Sequence, residues 1–281
     1  MASNFQESVP LATDTKPTAL LCTSNGVGLG HLARVMAIAE EMKETFNTVI
    51  FTLSAAVSIP VELGFQAEYL RSYDYENLDS RRWNVLVRER MLHLFDMYQP
   101  SVVLYDGTHP YAGICAALEM TPSIFKVWQR RGMWRPHLGD EAMLRERYFD
   151  LVVEPGDFAA ENDTGLTKNG TATSLNPIRF GPDFLSRTEA RKRLGLEPNE
   201  PAALIQLGAG QINDTNSLIS QIVTEVSACG VRPVVAASVL AQPLDVENES
   251  VMVVQLFPIS EYFHAFDFGV FAGGYNSFHE A

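Results

Sequence analysis

Residues 266–280 read FDFGVFAGGYNSFHE, an apolar run that leads through two glycines into polar residues. This order is typical of a buried strand, a tight turn and the first turn of a helix. The backbone N–H groups and the dipole at such a helix start favour an anion. We therefore predict an anionic ligand at residues 273–280.

Upstream of this segment, short apolar runs alternate with amphipathic stretches of helical length. The alternation predicts an α/β fold in which helices cover parallel sheets. Apolar residues recur with a helical period over residues 32–42, and a longer helix is predicted over residues 79–98. The predicted strands are residues 18–23, 48–53, 101–105, 123–127, 151–153, 202–207, 232–237, 251–256 and 267–272.

One stretch interrupts the alternation: residues 154–187 are rich in Gly, Asn, Thr and Pro. This composition predicts a surface loop, and Phe180-Gly181-Pro182 has the pattern of a linker. We therefore predict two domains, residues 18–180 and residues 183–281. Residues 1–17 are polar and are expected to form a disordered tail.

Composition excludes several classes of function. The 281 residues are 46% hydrophobic and carry a net charge of −13, which argues against a nucleic-acid partner because phosphate binding needs a basic face. No apolar run reaches the roughly 18 to 20 residues of a membrane-spanning helix, and the first 17 residues do not have the pattern of a signal peptide. We expect a cytoplasmic protein, and the sequence leaves peripheral contact with a membrane open. The three cysteines are not spaced for a zinc site or a disulfide framework, and no metal site is predicted.

Two further glycine loops follow predicted strands: SNGVGLGH at residues 24–31 and LGAGQ at residues 207–211. The first loop departs from the dinucleotide fingerprint GxGxxG, because His31 occupies the third glycine position and the second predicted strand does not end in an acid. A GxxxxGK[ST] motif is also absent from the sequence. These departures argue against a nicotinamide enzyme and against a P-loop ATPase.

His31 lies where the predicted helix over residues 32–42 begins. The positive end of the helix dipole favours a neutral imidazole, which can accept a proton. His31 is therefore a candidate general base, and the alternative is a structural cap of the glycine loop. Asp106, which follows the strand over residues 101–105, is a rival base, a residue that orients His31, or a helix N-cap.

Three motifs together carry a resemblance to a known family. The sequences GLGHLAR at residues 28–34, LGAGQ at residues 207–211 and GGYNSFHE at residues 273–280 resemble those of GT-B glycosyltransferases of the family 28 type. That family includes the N-acetylglucosaminyl transferase of peptidoglycan synthesis and many bacterial nucleotide-sugar transferases. The resemblance implies two Rossmann-like domains that face each other across a cleft, with the acceptor bound by the first and the nucleotide sugar by the second.

The resemblance also implies a reaction. A hydroxyl of an unknown acceptor would attack the anomeric carbon, His31 would take its proton, and UDP would leave with inversion and without a metal ion or other cofactor. Glu280 falls at the position of the family's ribose-binding glutamate, and residues 275–277 fall at the diphosphate. The candidate donor-binding residues are Gly208, Gly210, Gln211, Phe257, Gly274, Tyr275, Asn276, Ser277 and Glu280.

Acceptor contacts are expected in the first domain, in loops at the carboxyl ends of its strands. The stretch over residues 126–137 carries four basic residues and no acid, and it could bind an acidic, phosphorylated or lipid-linked acceptor or form a solvated surface loop. The candidate acceptor-binding residues are Gly28, Gly30, His109, Arg130, Arg131 and Trp134.

Other functions stay open at this point. A UDP-sugar hydrolase or 2-epimerase has the same fold, and a GT-B-like chain can be the non-catalytic subunit of a split transferase. The family's second domain continues beyond the glycine motif, so we expect residues 183–281 to be a partial domain and the 281 residues to bind donor poorly.

Overall fold

The computed structural model describes residues 16–24, 29–72, 78–137, 139–181, 183–208, 216–239 and 251–281. Within these residues the strands form two sheets, and every strand pair is parallel. The predicted α/β fold class is therefore confirmed. Residues 1–15 of the expected N-terminal tail lie outside the described part of the chain, and the domain limits near Gly181 remain a prediction.

The first sheet has the strand order β3-β2-β1-β4-β5-β6-β7. Because β1 lies next to β4, the carboxyl ends of these two strands meet in the middle of the sheet. Its strands are β1 (Thr18–Thr23), β2 (Asn47–Thr52), β3 (Gln66–Tyr69), β4 (Val102–Asp106), β5 (Phe125–Gln129), β6 (Leu151–Pro155) and β7 (Thr173–Leu175).

The second sheet has the strand order β10-β9-β8-β11. Its strands are β8 (Ala202–Gln206), β9 (Arg232–Ala236), β10 (Met252–Val254) and β11 (Phe268–Phe271). The carboxyl end of β11 leads into the last described helix. In the described residues this sheet is covered by an apolar cluster that includes Leu194, Leu204 and Val234.

Helices connect the strands. Of those described, none is both long and apolar enough to cross a membrane. They are α1 (Gly30–Met42), α2 (Ser58–Glu62), α3 (Ser80–Tyr98), α4 (Ala112–Glu119), α5 (Asp140–Met143), α6 (Arg187–Leu194), α7 (Asn216–Ala228) and α8 (Tyr275–Glu280), with 3-10 turns at Leu144–Tyr148, Ala160–Asn162, Leu166–Asn169 and Ile259–Ala265.

Both faces of the first sheet are buried, because successive side chains of a strand point to opposite faces. Ala19 and Leu21 of β1 pack with α1 on one face. Leu20 and Cys22 pack with α3 and α4 on the other. This arrangement explains why the strands read as continuous apolar runs rather than as an alternating pattern.

All nine predicted strands form, with ends that shift by up to two residues, and the helices predicted over residues 32–42 and 79–98 are present. The prediction that residues 154–187 form a loop was wrong at β7, which pairs with β6. It escaped prediction because its sequence Thr-Ser-Leu is short and exposed. β3 was also missed, since its sequence Gln-Ala-Glu-Tyr is largely polar.

Candidate active site at the domain junction

His31 and Asp106 meet at the carboxyl edge of the first sheet. His31 lies in the first turn of α1, which follows β1, and Asp106 is the last residue of β4. His31 Nδ1 lies 2.7 Å from Asp106 Oδ1. Arg34 Nη2, which can only donate, also lies 2.8 Å from Nδ1, but it donates to Asp106 Oδ1 at the same distance. Because the carboxylate can only accept, we assign the ring proton to Nδ1, which leaves the Nε2 lone pair free. The His31 side chain is 21% exposed, and Nε2 can therefore accept a proton from a ligand.

Asp106 is 1% exposed and serves as a hydrogen-bond acceptor on both oxygens. Arg34 donates from Nε to Oδ2 (2.9 Å) and from Nη2 to Oδ1 (2.8 Å). Gln129 donates to Oδ2 at 3.0 Å. Burial raises the pKa of Asp106, but the positive charge of Arg34 and the bonds from Arg34 and His31 outweigh it, so the pKa is lowered. Asp106 is thus an ionised, fully engaged carboxylate whose geometry suits the orientation of His31.

Arg34 was not singled out from the sequence. It lies three residues after His31 in α1, so the two side chains share one face of the helix. This spacing in the sequence could have predicted that Arg34 lies beside His31. Its Nη1 donates to Asn276 Oδ1 at 3.2 Å, and Asn276 Nδ2 donates to the Gly30 carbonyl at 3.3 Å. The start of α8 is therefore joined to the start of α1.

Tyr275 anchors the C-terminal motif against the first sheet's loops. It is 5% exposed. Its hydroxyl donates to the Gly156 carbonyl at 2.7 Å and accepts from the Ile178 N–H at 3.4 Å. Two guanidinium groups lie over its ring, that of Arg34 at 5.6 Å and that of Arg131 at 4.9 Å from the centroid. Positive charge is thus concentrated where the two sheets meet.

Glu280 lies beside the segment that connects the two sheets. Burial raises its pKa to about 7, and the charge of Arg179 opposes this shift. It lines a cavity of about 90 Å³ together with Arg179, Asp183 and Ser260. The buried Ser260 hydroxyl has no hydrogen-bond partner among the described residues. The carboxyl group of Glu280 and this hydroxyl are therefore available to a polar ligand.

The chain was compared with known proteins. No family model matches it, and no curated protein sequence matches it significantly. Solved structures do match. The glycosyltransferase SsfS6 of Streptomyces sp. SF2575 is 16% identical with a TM-score of 0.60, and the match covers 94% of this chain and 78% of SsfS6. MurG of Acinetobacter baumannii is 9% identical with a TM-score of 0.53, over 92% of this chain and 74% of MurG.

A third match is the UDP-GlcNAc 2-epimerase of Neisseria meningitidis bound to UDP-GlcNAc. It is 11% identical with a TM-score of 0.57, over 92% of this chain and 78% of the epimerase. The chain has the GT-B fold. In that fold, the junction of His31, Asp106 and the motif at residues 273–280 lies where the carboxyl ends of the two sheets approach each other, the edge at which open α/β sheets bind ligands.

Two of the expected acceptor residues are packed inside the first half of the GT-B fold. Arg130 is fully buried, and it pairs with Glu154 at 2.7 Å and also with Glu146. Trp134 packs 6.4 Å from the Trp128 ring. The stretch over residues 126–137 is therefore not simply a solvated loop, because β5 continues to residue 129 and carries Arg130 inward. The structure does not bring Arg130 or Trp134 to His31.

Other predicted residues are placed as follows. Gly30 begins α1 beside Asn276, and His109 is exposed beyond the end of β4. Gly208 lies two residues after the end of β8 and has φ +85°, a left-handed conformation that favours glycine. The Phe257 ring stacks on Phe180 at 5.7 Å.

Gly274 precedes α8, and Ser277 is half-buried in its first turn. Gly28, Gly210 and Gln211 lie outside the described residues. Within the described part of the chain, no group of three or more His, Cys, Asp and Glu side chains is arranged to hold a metal ion.

Proposed function

We propose that this GT-B chain is a glycosyltransferase that moves a sugar from a nucleotide sugar, expected to carry UDP, to a hydroxyl of an acceptor. One observation carries the proposal: His31 Nδ1 is held by Asp106 at 2.7 Å, which leaves Nε2 free beside the motif at residues 273–280. An acceptor hydroxyl that attacks a sugar bound by the second half must lose its proton at the junction of the two halves, and His31 is a base at that junction. Similar solved structures that are glycosyltransferases support the same reaction.

In the proposed step, the acceptor oxygen attacks the anomeric carbon while its proton passes to His31 Nε2. The bond between the anomeric carbon and the diphosphate breaks, and the nucleoside diphosphate leaves with the electron pair. The Asp106 carboxylate stabilises the imidazolium that forms, and Arg34 keeps that carboxylate ionised. We propose inversion at the anomeric carbon and no requirement for a metal ion.

The proposed donor contacts lie at residues 274–277 for the diphosphate and at Glu280 for the ribose. Ser277 supplies a hydroxyl in the first turn of α8. The Glu280 carboxyl group lines a cavity next to the segment that connects the sheets, where it can accept hydrogen bonds from ribose hydroxyls.

A 2-epimerase that acts on a UDP-sugar is the second candidate. The observation that favours it is that UDP-GlcNAc 2-epimerases share the fold, with a TM-score of 0.57 for the Neisseria enzyme. In an epimerase, His31 Nε2 would exchange a proton with the bound sugar and no acceptor would be consumed. The two reactions therefore differ in their products.

The test begins with a thermal-shift panel of UDP-, dTDP- and GDP-sugars on the unsubstituted protein, because a ligand that binds only the folded state raises the melting temperature. The stabilising donor is then incubated with a panel of hydroxyl acceptors, and nucleotide release is measured for the wild type, for His31→Gln and for the control His93→Gln. His93 is exposed on α3. We expect at least a roughly 100-fold loss of turnover in His31→Gln only, with donor stabilisation retained.

The products separate the candidates. A new glycoside supports transfer, a rearranged sugar formed without acceptor supports the epimerase, and free sugar supports a hydrolase. Stabilisation by none of the nucleotide sugars would refute the proposed function. If this chain is the non-catalytic subunit of a split transferase, the complex with the catalytic subunit should turn over unchanged when His31→Gln replaces the wild type.

A further inference from the structure

The buried arginines in the described residues are compensated by carboxylates or carbonyl oxygens, although Arg130 Nη2 makes no hydrogen bond. Arg34 pairs with Asp106, and Arg130 pairs with two glutamates. Arg191 donates to main-chain carbonyl oxygens. Such compensation is expected, because removal of a guanidinium from water is costly unless its hydrogen bonds and charge are satisfied. Arg131, which is only half-buried, differs from these three arginines.

Arg131 is half-buried and makes neither an ion pair nor a hydrogen bond with any residue that the structure describes. Its guanidinium lies over the face of the Tyr275 ring, 4.9 Å from the centroid. Burial lowers its pKa, and so does repulsion from Arg34. Asp157 and Asp106 attract it weakly without pairing with it, and the charge of Asp106 is already shared by Arg34 and His31. Among the described residues, Arg131 is thus a positive group without a charged or hydrogen-bonded partner of its own.

The position of Arg131 directs this charge toward the candidate site. Gln129, two residues before it, pairs in register with Asp106 at the carboxyl end of β4. Tyr275 begins α8, which follows the carboxyl end of β11. Arg131 therefore lies between the carboxyl edges of both sheets, on the side where His31 lies.

We propose that Arg131 forms an anion subsite at the domain junction, which binds a phosphate or carboxylate group of a substrate. The planar guanidinium can donate two parallel hydrogen bonds to either group. The identity of the substrate rests on the proposed function, under which the anion is the diphosphate of the donor or an acidic group of the acceptor. The unpaired charge itself does not depend on which reaction the protein catalyses.

The experiment compares Arg131→Gln and Arg131→Lys with the control Arg135→Gln, which removes an exposed charge from the same loop. Titration calorimetry measures the affinity of each protein for UDP and for uridine. Thermal shift at constant ionic strength measures stabilisation by inorganic phosphate, with and without saturating UDP. Arg131→Lys retains the charge, so a loss of anion binding can be separated from a loss of packing on Tyr275.

If the anion is the donor diphosphate, Arg131→Gln weakens UDP binding by at least about tenfold, leaves uridine binding unchanged, and phosphate competes with UDP in the wild type. If the anion belongs to the acceptor, UDP binding is unchanged, and phosphate stabilises the UDP-bound wild type but not Arg131→Gln. Arg131→Lys should bind the anion with intermediate affinity in either case.

Equal UDP and phosphate binding by Arg131→Gln, Arg135→Gln and the wild type would overturn the inference. Failure of the proposed function would look different. The wild type would then bind no nucleotide, whereas phosphate would still stabilise it through Arg131.

Discussion

Replacement of Asp106 by asparagine should destabilise the fold substantially, because it removes the negative charge between Arg34 and His31. Arg34 is 3% exposed and would be left as a buried cation without a counter-charge. Loss of one partner from a buried ion pair costs about 3–5 kcal/mol. For a domain of this size, such a loss lowers the melting temperature by roughly 10 °C.

The loss should depend on pH. The pKa of Asp106 is lower in the folded state than the value of about 3.9 expected in the unfolded chain. The carboxylate therefore contributes stability above about pH 4, and this contribution disappears as the pH falls through the lower folded pKa. The difference in stability between the wild type and Asp106→Asn should be largest near pH 7 and should shrink below about pH 4.

The assay is urea unfolding of both proteins at a series of pH values, with Glu189→Gln as a matched control. Glu189 pairs with Arg193 at 2.7 Å on the exposed surface of α6, and because solvent screens such pairs, its loss should change the free energy of unfolding very little. The reasoning fails if Asp106→Asn loses no more stability than this control. A difference that stays the same from pH 3 to pH 7 would refute the role of the charge.

Two further perturbations test the C-terminal motif. Tyr275→Phe should lower the free energy of unfolding by about 1–3 kcal/mol, because the Gly156 carbonyl and the Ile178 N–H lose their partner. Urea unfolding should show this loss in Tyr275→Phe and should show no loss in the control Tyr148→Phe. Burial raises the folded pKa of Glu280 to about 7, so wild-type stability should fall as the pH rises from about 4 to 7, where the unfolded carboxyl group ionises first. Glu280→Gln lacks this pH-dependent loss of stability, and its melting temperature should therefore rise relative to that of the wild type between pH 5 and pH 8. A difference in melting temperature that is independent of pH would show that Glu280 is not buried as a carboxyl group.

Much of the fold could be predicted from the sequence because hydrophobic burial is encoded locally. Strands that are buried on both faces must be apolar along their whole length, and the nine apolar runs in the sequence all correspond to strands. β3 and β7 carry no such signal, since they lie at the edges of the first sheet and have polar sequences. Their pairing is decided by neighbouring strands that are distant in the sequence.

The candidate site was predictable where it follows from the topology of the sheet. His31 and Asp106 were both expected at carboxyl ends of strands, and the pairing of β1 with β4 brings them together. The different environments of Arg130 and Arg131 were not predictable. These neighbours at the end of β5 point in different directions, and only the tertiary structure supplies the glutamates that bury one and the tyrosine that stacks on the other.

The contact of Arg34 with Asn276 constrains the proposed mechanism. Asn276 Oδ1 accepts from Arg34, and one hydrogen of Nδ2 is donated to Gly30, so the amide has only its second Nδ2 hydrogen left for a diphosphate in this arrangement. A donor at this position binds that hydrogen and the backbone N–H groups of the motif, or the amide exchanges its partners. In the second case, release of Arg34 from Asn276 would alter the residue that holds Asp106, and through Asp106 the orientation of His31. The proposed donor site and the proposed base therefore share Arg34, and binding at one would be coupled to geometry at the other.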